Sequence, residues 1–412
     1  MKKSVSFILA VSILLSLVFA IGVFAAFKGD VNGDNEVNNK DVVTMFRYVS
    51  GSDRLDDESM YDHNGDHTVD NKDVVSLFRF VSSGAAPEEI GPEKPEPTPD
   101  EYFTFTLLDD GTYEIKAKNV NNMPENVIIP DKHDGKAVTS IGESAFSYCS
   151  KLTSVTIPDS VKLIGNSAFY SCSGLCSVPI PGNVTEIGGS AFEDCISLSS
   201  VTIPGSATSV GNYAFSGCSS LESIIVANDN KVYHSKNNCI IETESKTLIA
   251  GCKNSIIPSD GSVMKIDDGA FYSCSGLTSV TVPDGVTEIG GWAFCSCSSL
   301  SSVTVPDSVT SLGDYVFSGC SSLSSVTIPD GVTLIGDAVF RNCNSLTSVT
   351  IPGGVTSIGD WAFSDCWSLT DMTYRGTYSQ WQSISKGDSW NSGTEYTLHC
   401  DDGDYSRDGH KL

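Results

Sequence analysis

The stretch at residues 145–165, AFSYCSKLTSVTIPDSVKLIG, decides the fold, because its pattern A-F-x-x-C-x-x-L-x-x-V-x-I-P-x-x-V-x-x-I-G returns along most of the chain. Within each of two blocks the motif keeps a 23-residue period without a slip. A fixed period of this length indicates a solenoid, in which a coil cannot bury its apolar face alone and stacks on its neighbours. The repeated phenylalanines are residues 146, 169, 192 and 215, and then 271, 294, 317, 340 and 363.

Each coil is predicted to contain a short strand, a turn marked by proline and a compact helical turn. In the first coil the strand covers residues 152–157 and Pro158 marks the turn, while Phe169 lies in the helical turn that opens the next coil. Alternate strand residues point inward at period 2. The glycine after each V-x-x-I, such as Gly188, is interpreted as a turn signal.

This repeat resembles the BspA-like (bacterial surface-antigen type) branch of the leucine-rich-repeat family, from residue 102 to about residue 404. The resemblance implies an α/β solenoid with an N-terminal cap at 102–140, repeats at 141–373, and a C-terminal cap and tail at 374–412. Residues 227–264 interrupt the period and are interpreted as an enlarged coil with a bulging strand pair. A binding feature in this insertion is the alternative.

Two near-identical stretches lie close together near the N-terminus, at residues 30–41 (DVNGDNEVNNKD) and 62–73 (DHNGDHTVDNKD). Each places side-chain oxygens at loop positions 1, 3, 5, 9 and 12, with position 7 supplying a backbone carbonyl. This is the spacing with which a tight loop wraps Ca²⁺. The predicted ligands of two calcium ions are Asp30, Asn32, Asp34, Glu36, Asn38 and Asp41, and then Asp62, Asn64, Asp66, Thr68, Asp70 and Asp73.

A single amphipathic segment follows each loop, at residues 42–51 and 74–83. A duplicated loop and helix with Asp at position 12 resembles a type I dockerin, here at residues 27–84, which implies a small all-α calcium-binding module. Dockerins bind cohesin modules on the scaffoldin of a cellulosome. By this resemblance the cohesin-facing residues are Asn39, Lys40, Phe46 and Arg47 in the first copy and Asn71, Lys72, Phe78 and Arg79 in the second. The two alike faces predict docking in two orientations, although the phenylalanines are equally consistent with core positions.

Residues 1–25 have the form of a secretory signal, with two lysines, an apolar run and a small residue at the end. An uncleaved anchor is the alternative. Residues 85–101 are rich in Pro and Glu and predict a semi-rigid linker. The formal net charge of −26 argues against nucleic-acid partners and anionic membranes. We therefore expect a secreted protein, held at the cell surface through a scaffoldin, with no membrane insertion after signal cleavage.

Nine of the fourteen cysteines occupy one repeat position, directly before the x-x-L of each coil. Buried free cysteine behaves as a small apolar residue, so we expect a column of thiols in the core rather than a disulfide framework. Cys239 and Cys252, at either side of the insertion, are the pair for which a bridge stays open. The spacing of cysteines and histidines does not resemble a zinc site.

The repeats offer neither a positioned carboxylate pair nor a nucleophile with a base, so we expect no catalysis. A candidate ligand surface is formed by Tyr213, Trp292, Tyr315 and Trp361, which precede the Ala-Phe or Val-Phe of their coils. Sugar rings stack on aromatic faces, which favours a polysaccharide or a protein ligand. Filling of gaps between coils is the competing explanation.

The sequence thus predicts a multidomain, non-catalytic cellulosome-type component, in which a dockerin binds a cohesin and a repeat solenoid presents a recognition surface. A polysaccharide-degrading enzyme with an unrecognised active site and a cell-surface adhesin are the alternatives.

Overall fold

The computed structural model describes residues 96–412, which form a β-solenoid. Most regular coils contribute a first strand, from the V-x-I segment, and a second strand of two residues, from the V-x-x-I segment. In the coil of Phe169 the first strand is reduced to a single bridge at Ser177. The first strands are Asn126–Ile128, Ser154–Thr156, Ser200–Ile203, Ser223–Val226, Ser279–Thr281, Ser302–Thr304, Ser325–Thr327, Ser348–Ile351 and Asp371–Tyr374. The second strands are Lys136–Ile141, Leu163–Ile164, Glu186–Ile187, Ser209–Val210, Lys265–Ile266, Glu288–Ile289, Ser311–Leu312, Leu334–Ile335, Ser357–Ile358 and Ser385–Lys386.

Strands of most neighbouring coils pair in parallel and in register, as Ser223–Val226 does with Ser200–Ile203. The sequence predicted the first strand of each coil but not the second. Two residues are too few to show the period-2 alternation on which strand prediction depends.

The helical side of each coil consists of consecutive hydrogen-bonded turns rather than a regular helix. The amide of Cys149 donates to the Phe146 carbonyl at 3.0 Å, and the amide of Leu152 donates to the Cys149 carbonyl at 3.0 Å. The compact helical turn predicted for each coil is therefore present as a run of i to i+3 turns. The helical segments of the described residues lie in the caps, at Asp100–Tyr102, Val120–Asn122 and Tyr378–Ser383.

The core is built around two columns of stacked phenylalanines. Phe146 stacks on Phe169 at 5.2 Å between ring centroids with 4° between the planes, and the column continues to Phe215. A second column starts at Phe271 and ends at Phe363. The regular period thus places identical rings in contact along each block, and the insertion separates the two columns.

The cysteine column lies beside these rings. The nine repeat cysteines are buried, and most donate the S–H to the Phe carbonyl of the preceding coil, as Cys172 does to Phe146 at 3.0 Å and Cys320 to Phe294 at 3.1 Å. The fourteen cysteines are free thiols, including Cys239 and Cys252. A thiol that donates to a fixed carbonyl explains why cysteine, rather than another small residue, recurs here.

The glycine after each V-x-x-I is required for a reason other than a turn. A Cβ on Gly188 would lie 2.5 Å from the amide nitrogen of Asn166 in the preceding coil. The close approach of adjacent coils, rather than a left-handed backbone, excludes a side chain at this position.

Both ends of the array are closed by antiparallel strands. At the N-terminal end, Phe103–Leu107 pairs with Tyr113–Ala117, which joins Lys136–Ile141 in parallel, and Lys132–His133 pairs antiparallel with the start of Lys136–Ile141. At the C-terminal end, Asp371–Tyr374 pairs in parallel with Thr397–Cys400, which pairs antiparallel with Gly403–Ser406. The helix Tyr378–Ser383 begins at a capping box formed by Thr377 and Gln380.

The insertion contains three strands, where the sequence indicated a strand pair. Tyr233–Lys236 and Cys239–Glu242 form an antiparallel hairpin, and Thr247–Ala250 pairs with both the hairpin and the next coil. Ile240 packs on the first core block and Ile241 on the second. The insertion is therefore an enlarged coil that joins the two blocks. No helix of residues 96–412 is long and apolar enough to cross a membrane.

Thiol reactivity tests the cysteine column. Cys176 is exposed, whereas the repeat cysteines are buried, and burial raises the pKa of Cys195 and of Cys366 to about 12. Since the thiolate is the reactive form, iodoacetamide should modify Cys176 first in the native protein at pH 8. Mass spectrometry after denaturation without reductant should find all fourteen cysteines alkylated. Disulfide-linked peptides from the column would contradict the assignment.

A histidine at the C-terminal cap predicts a pH dependence. Two hydrogen bonds raise the pKa of His399. The larger effect comes from Asp404, at 2.9 Å, and the smaller from Asp371, at 3.1 Å. The imidazolium thus stabilises the cap below the unfolded-state pKa near 6.5, and this contribution is lost as the pH rises through the higher folded-state value. The pKa of Asp371 is lowered, first by Thr370 and then by His399, so its contribution is lost as the pH falls below about 3.8.

The cap should consequently be most stable between about pH 4 and 6.5. Hydrogen exchange of the strands Thr397–Cys400 and Gly403–Ser406, corrected for intrinsic rates, should be faster at pH 8.5 than at pH 6. In a His399→Gln variant this difference should disappear. Equal protection at both pH values in the unmutated protein would contradict the assignment.

Candidate functional site: an aromatic row on the repeat array

The candidate aromatic residues share an unusual backbone conformation. Tyr213, Trp292, Tyr315 and Trp361 have φ between 53° and 61°, in the left-handed region. Every regular coil has this conformation at the residue before its Ala-Phe or Val-Phe pair. The same position holds Ser144, Ser167, Ser190, Gly269 and Ala338 in the other coils.

A second position in each coil also has a left-handed backbone, and its residues show which residue types occur there when no other demand acts. It precedes the column cysteine, and apart from Tyr148 it holds Ser, Asp, Asn or Gly, which tolerate this conformation. The residues are Tyr148, Ser171, Asp194, Gly217, Ser273, Ser296, Gly319, Asn342 and Asp365. The bulky aromatic residues at the first position therefore depart from the choice that the backbone favours.

Hydrogen bonds between coils impose the left-handed conformation on these residues. The Trp292 amide donates to the Asp314 carbonyl at 2.9 Å, and the Tyr315 amide donates to the Asp337 carbonyl at 2.8 Å. The residue before Tyr315 adds a second hydrogen bond between coils, since Asp314 Oδ1 accepts from the Asp337 amide at 2.8 Å. The strain, of about 1–2 kcal/mol per residue, is thus balanced by the regular stacking of the array.

The structure brings three of the four aromatic residues into one group. Trp292 and Tyr315 stack at 4.1 Å with 6° between their planes. The ring centroid of Tyr272 lies 6.3 Å from that of Tyr213 and 6.3 Å from that of Trp292, so Tyr272 connects these two rings. Sequence reasoning missed Tyr272, which occupies the position directly after the repeat phenylalanine. The signal that could have found it is its place slightly less than one repeat before Trp292.

Trp361 lies apart from this group. The coil between Tyr315 and Trp361 has Ala338 at the corresponding position, and the guanidinium of Arg341 lies 5.9 Å from the Trp361 ring. We define the aromatic row as Tyr213, Tyr272, Trp292 and Tyr315, with Trp361 as a separate exposed ring.

The row is partly open to solvent. Trp292 is 37% exposed and Trp361 is 39% exposed. Partial burial raises the pKa of Tyr213 and of Tyr272. Because Trp292 and Tyr315 stack, each ring covers one face of the other, and a ligand would meet the remaining surfaces. Such a row can bind flat apolar faces, including those of sugar rings.

Two histidines of the described residues, His133 and His399, are held by neighbouring carboxylates. Both ring nitrogens of His399 are occupied by carboxylates, and His133 is bonded to Asp100 and stacked on Phe105. In residues 96–412 no group of three or more His, Cys, Asp or Glu side chains could hold a metal ion. The predicted calcium ligands and cohesin-facing residues, from Asp30 to Arg79, lie outside the described residues.

Comparison with known families gives the identity of both parts. The family model of the BspA type leucine rich repeat region matches residues 139–262 and 264–385. The chain belongs to this family. The model of the dockerin type I domain matches residues 28–82, so the chain combines a type I dockerin with BspA-type repeats, as the sequence motifs predicted. No curated protein matches the chain.

Two solved structures illustrate the similarity of the BspA-type array. A leucine-rich-repeat protein from Eubacterium ventriosum is 22% identical, with a TM-score of 0.55, covering 71% of this chain and 93% of the other, which supports the fold. A leucine-rich cell surface protein from Faecalibacterium prausnitzii is 29% identical, with a TM-score of 0.47, and the match covers 71% of this chain and 98% of the other.

Replacing Trp292 tests whether the aromatic row serves only to pack the gaps between coils. In Trp292→Gly, relief of the left-handed conformation, about 1–2 kcal/mol, should offset much of the lost burial, about 2 kcal/mol for a ring that stays 37% exposed, and of the lost stacking, about 0.5–1.5 kcal/mol. We therefore expect the free energy of unfolding to fall by no more than about 2 kcal/mol. A matched core change, Phe294→Ala, should cost about 3–5 kcal/mol. A loss in Trp292→Gly as large as that in Phe294→Ala would assign Trp292 to packing.

Proposed function

We propose that this protein is a secreted, non-catalytic component of a cellulosome-type assembly. Its dockerin binds a cohesin on a scaffoldin in a calcium-dependent way, and its BspA-type array presents a recognition surface for a polysaccharide or a protein. The observation that carries the proposal is the pairing of a type I dockerin match with a repeat array. Both are domain kinds that bind rather than catalyse.

The loops supply chemistry suited to calcium. Each offers side-chain oxygens at the spacing of a calcium loop, and hard oxygen ligands suit Ca²⁺. Binding of one ion per loop would order the segment that follows, so that Asn39, Lys40 and Arg47 in one copy, and their counterparts in the other, can face a cohesin. The apolar run at residues 1–25 supports export, which brings the protein to the extracellular calcium that these loops require.

For the array, the aromatic row supports a glycan-binding role. Rings held in a conformation that disfavours them are retained at a local cost, and such strain concentrates at functional sites. The surface of the array also carries Ser and Thr at the outward positions of its strands, as at Thr202 and Thr281. A polar sheet face and a partly open aromatic row on the same array suit a ligand with hydroxyl groups and flat ring faces.

Calcium removal tests the dockerin. Calorimetric titration of the full chain against a panel of cohesins should show tight binding with calcium and none with EDTA, because the loops lose their order without the ion. The circular dichroism of the array should stay unchanged in EDTA. Failure to bind any cohesin in calcium would remove the basis for assembly on a scaffoldin.

The two faces of the dockerin provide the control. Replacing Phe46 and Arg47 by alanine should leave cohesin binding through the second copy, and the quadruple variant that also replaces Phe78 and Arg79 should abolish it. Loss of binding in the first double variant alone would exclude a two-orientation mode while keeping the dockerin assignment.

Glycan binding tests the array. Affinity electrophoresis of the full chain in gels that contain arabinoxylan or xyloglucan should show retardation, and Trp292→Gly should reduce the association constant roughly tenfold or more, as expected for a lost stacking partner. Ser190→Gly, at the same repeat position in a coil without an aromatic residue, serves as the control. Retardation that is equal in both variants would exclude the row as the glycan site.

A further inference from the structure

The insertion leaves a gap in the sheet of first strands. After the strand Thr247–Ala250, residues 255–259 (SIIPS) hold the sequence position of the preceding coil's first strand, and they line the same cleft as Ser279–Thr281. Among residues 96–412, no backbone hydrogen bond joins this segment to Ser279–Thr281. We call Ser279–Thr281 the edge strand, since it is paired on one side, with Ser302–Thr304.

The hydrogen bonds at the two ends of the edge strand show which way its backbone N–H and C=O groups point. The Val282 amide donates to the Thr304 carbonyl at 2.9 Å, and the Thr278 carbonyl accepts from the Ser301 amide at 2.9 Å. Because backbone groups alternate in direction along a strand, Ser279 and Thr281 point theirs away from Ser302–Thr304. In a regular coil this side is occupied by the preceding coil, and here it faces open space.

The open space is a cleft of about 900 Å³ with an apolar floor. Ile257, Val280 and Val282 line it, together with Val305 of the next coil. Val305 is only partly buried, whereas the corresponding Ile328 one coil further is 1% exposed. The cleft therefore reaches the row of side chains that is sealed inside the array elsewhere, and Ile256 beside it is 70% exposed.

The end of the cleft is acidic. Asp284 and Asp307 line it directly after the Val-Pro of their coils, and both are exposed. Neither forms an ion pair with another side chain of the described residues, unlike Asp330 one coil further, which pairs with Arg375 at 2.7 Å. The two carboxylates thus favour a cation at this end.

We propose that the cleft binds an extended polypeptide segment, which adds as a strand beside Ser279–Thr281. The segment would exchange main-chain hydrogen bonds with Ser279 and Thr281, place an apolar side chain against Ile257 and Val280, and set a lysine or arginine beside Asp284 and Asp307. An open strand edge, an apolar floor and an acidic end together match an extended peptide. The inference rests on the proposed recognition role of the array but lies at residues separate from the aromatic row.

Selection of phage-displayed random heptapeptides on the immobilised full chain tests the inference. We expect enriched peptides to alternate β-branched or apolar residues with others and to carry Lys or Arg at one end. The affinity of the best peptide is then measured by titration. The substitution Thr281→Pro removes the backbone N–H that faces the cleft. Because this N–H makes no hydrogen bond within the array, the array loses none. This variant should bind the peptide roughly tenfold more weakly or worse, since strand addition loses a hydrogen bond and meets the proline ring.

A second variant guards against misfolding of the first. Asp284→Asn combined with Asp307→Asn should weaken binding and remove its dependence on salt. Asp159→Asn, at the same turn in a distant coil, should leave binding unchanged. No enriched peptide family, or enriched peptides that bind both cleft variants as well as the unmutated chain, would overturn the inference. Trp292→Gly should keep peptide binding, so failure of the glycan proposal and failure of this one are distinguishable.

Discussion

The structure depends on one interaction: the backbone carbonyl of each repeat phenylalanine fixes the register of its coil against the next coil. That carbonyl accepts the amide of the cysteine three residues later in its own coil, and in most coils it also accepts the thiol of the cysteine in the next coil. The same period stacks the phenylalanine rings and forces the glycine of each V-x-x-I against the preceding backbone. A coil displaced by one residue would lose these contacts together, which is why the period holds without a slip within each block.

This constraint also explains the surface features. Because coil-to-coil bonds fix a left-handed residue at the same place in every coil, the array can hold Ser, Gly, Tyr or Trp there without a change of fold. Folding therefore does not fix the residue type at this position. Tyr213, Trp292, Tyr315 and Trp361 are the bulky residues found there, and each adopts a strained backbone conformation. The insertion has the opposite effect. Where it interrupts the register, the phenylalanine columns separate and the edge strand is left without a partner on the side of the insertion.

The sequence predicted the repeated features that carry a residue pattern and missed those that carry none. The burial of Phe146 and Cys149 and their equivalents followed from spacing alone. The second strand was missed because two residues carry no periodic signal, and the third strand of the insertion because Thr247–Ala250 acquires its partner only from the next coil. Tyr272 lies outside the repeat position that was searched. The left-handed conformation leaves no common residue type at its position, so the strain at Trp292 is visible only in the structure.

In the proposed function the dockerin anchors the protein and the array recognises a ligand, and a single sensor-surface measurement tests that division of roles most directly. The full chain is captured on an immobilised cohesin in calcium, solubilised arabinoxylan or xyloglucan is passed over it, and EDTA is then added. The account predicts that the captured protein retains the polysaccharide, releases no reducing sugar from it, and leaves the surface together with it when the calcium is removed. Absence of capture by every cohesin tested, or cleavage of the polysaccharide by the captured protein, would contradict it.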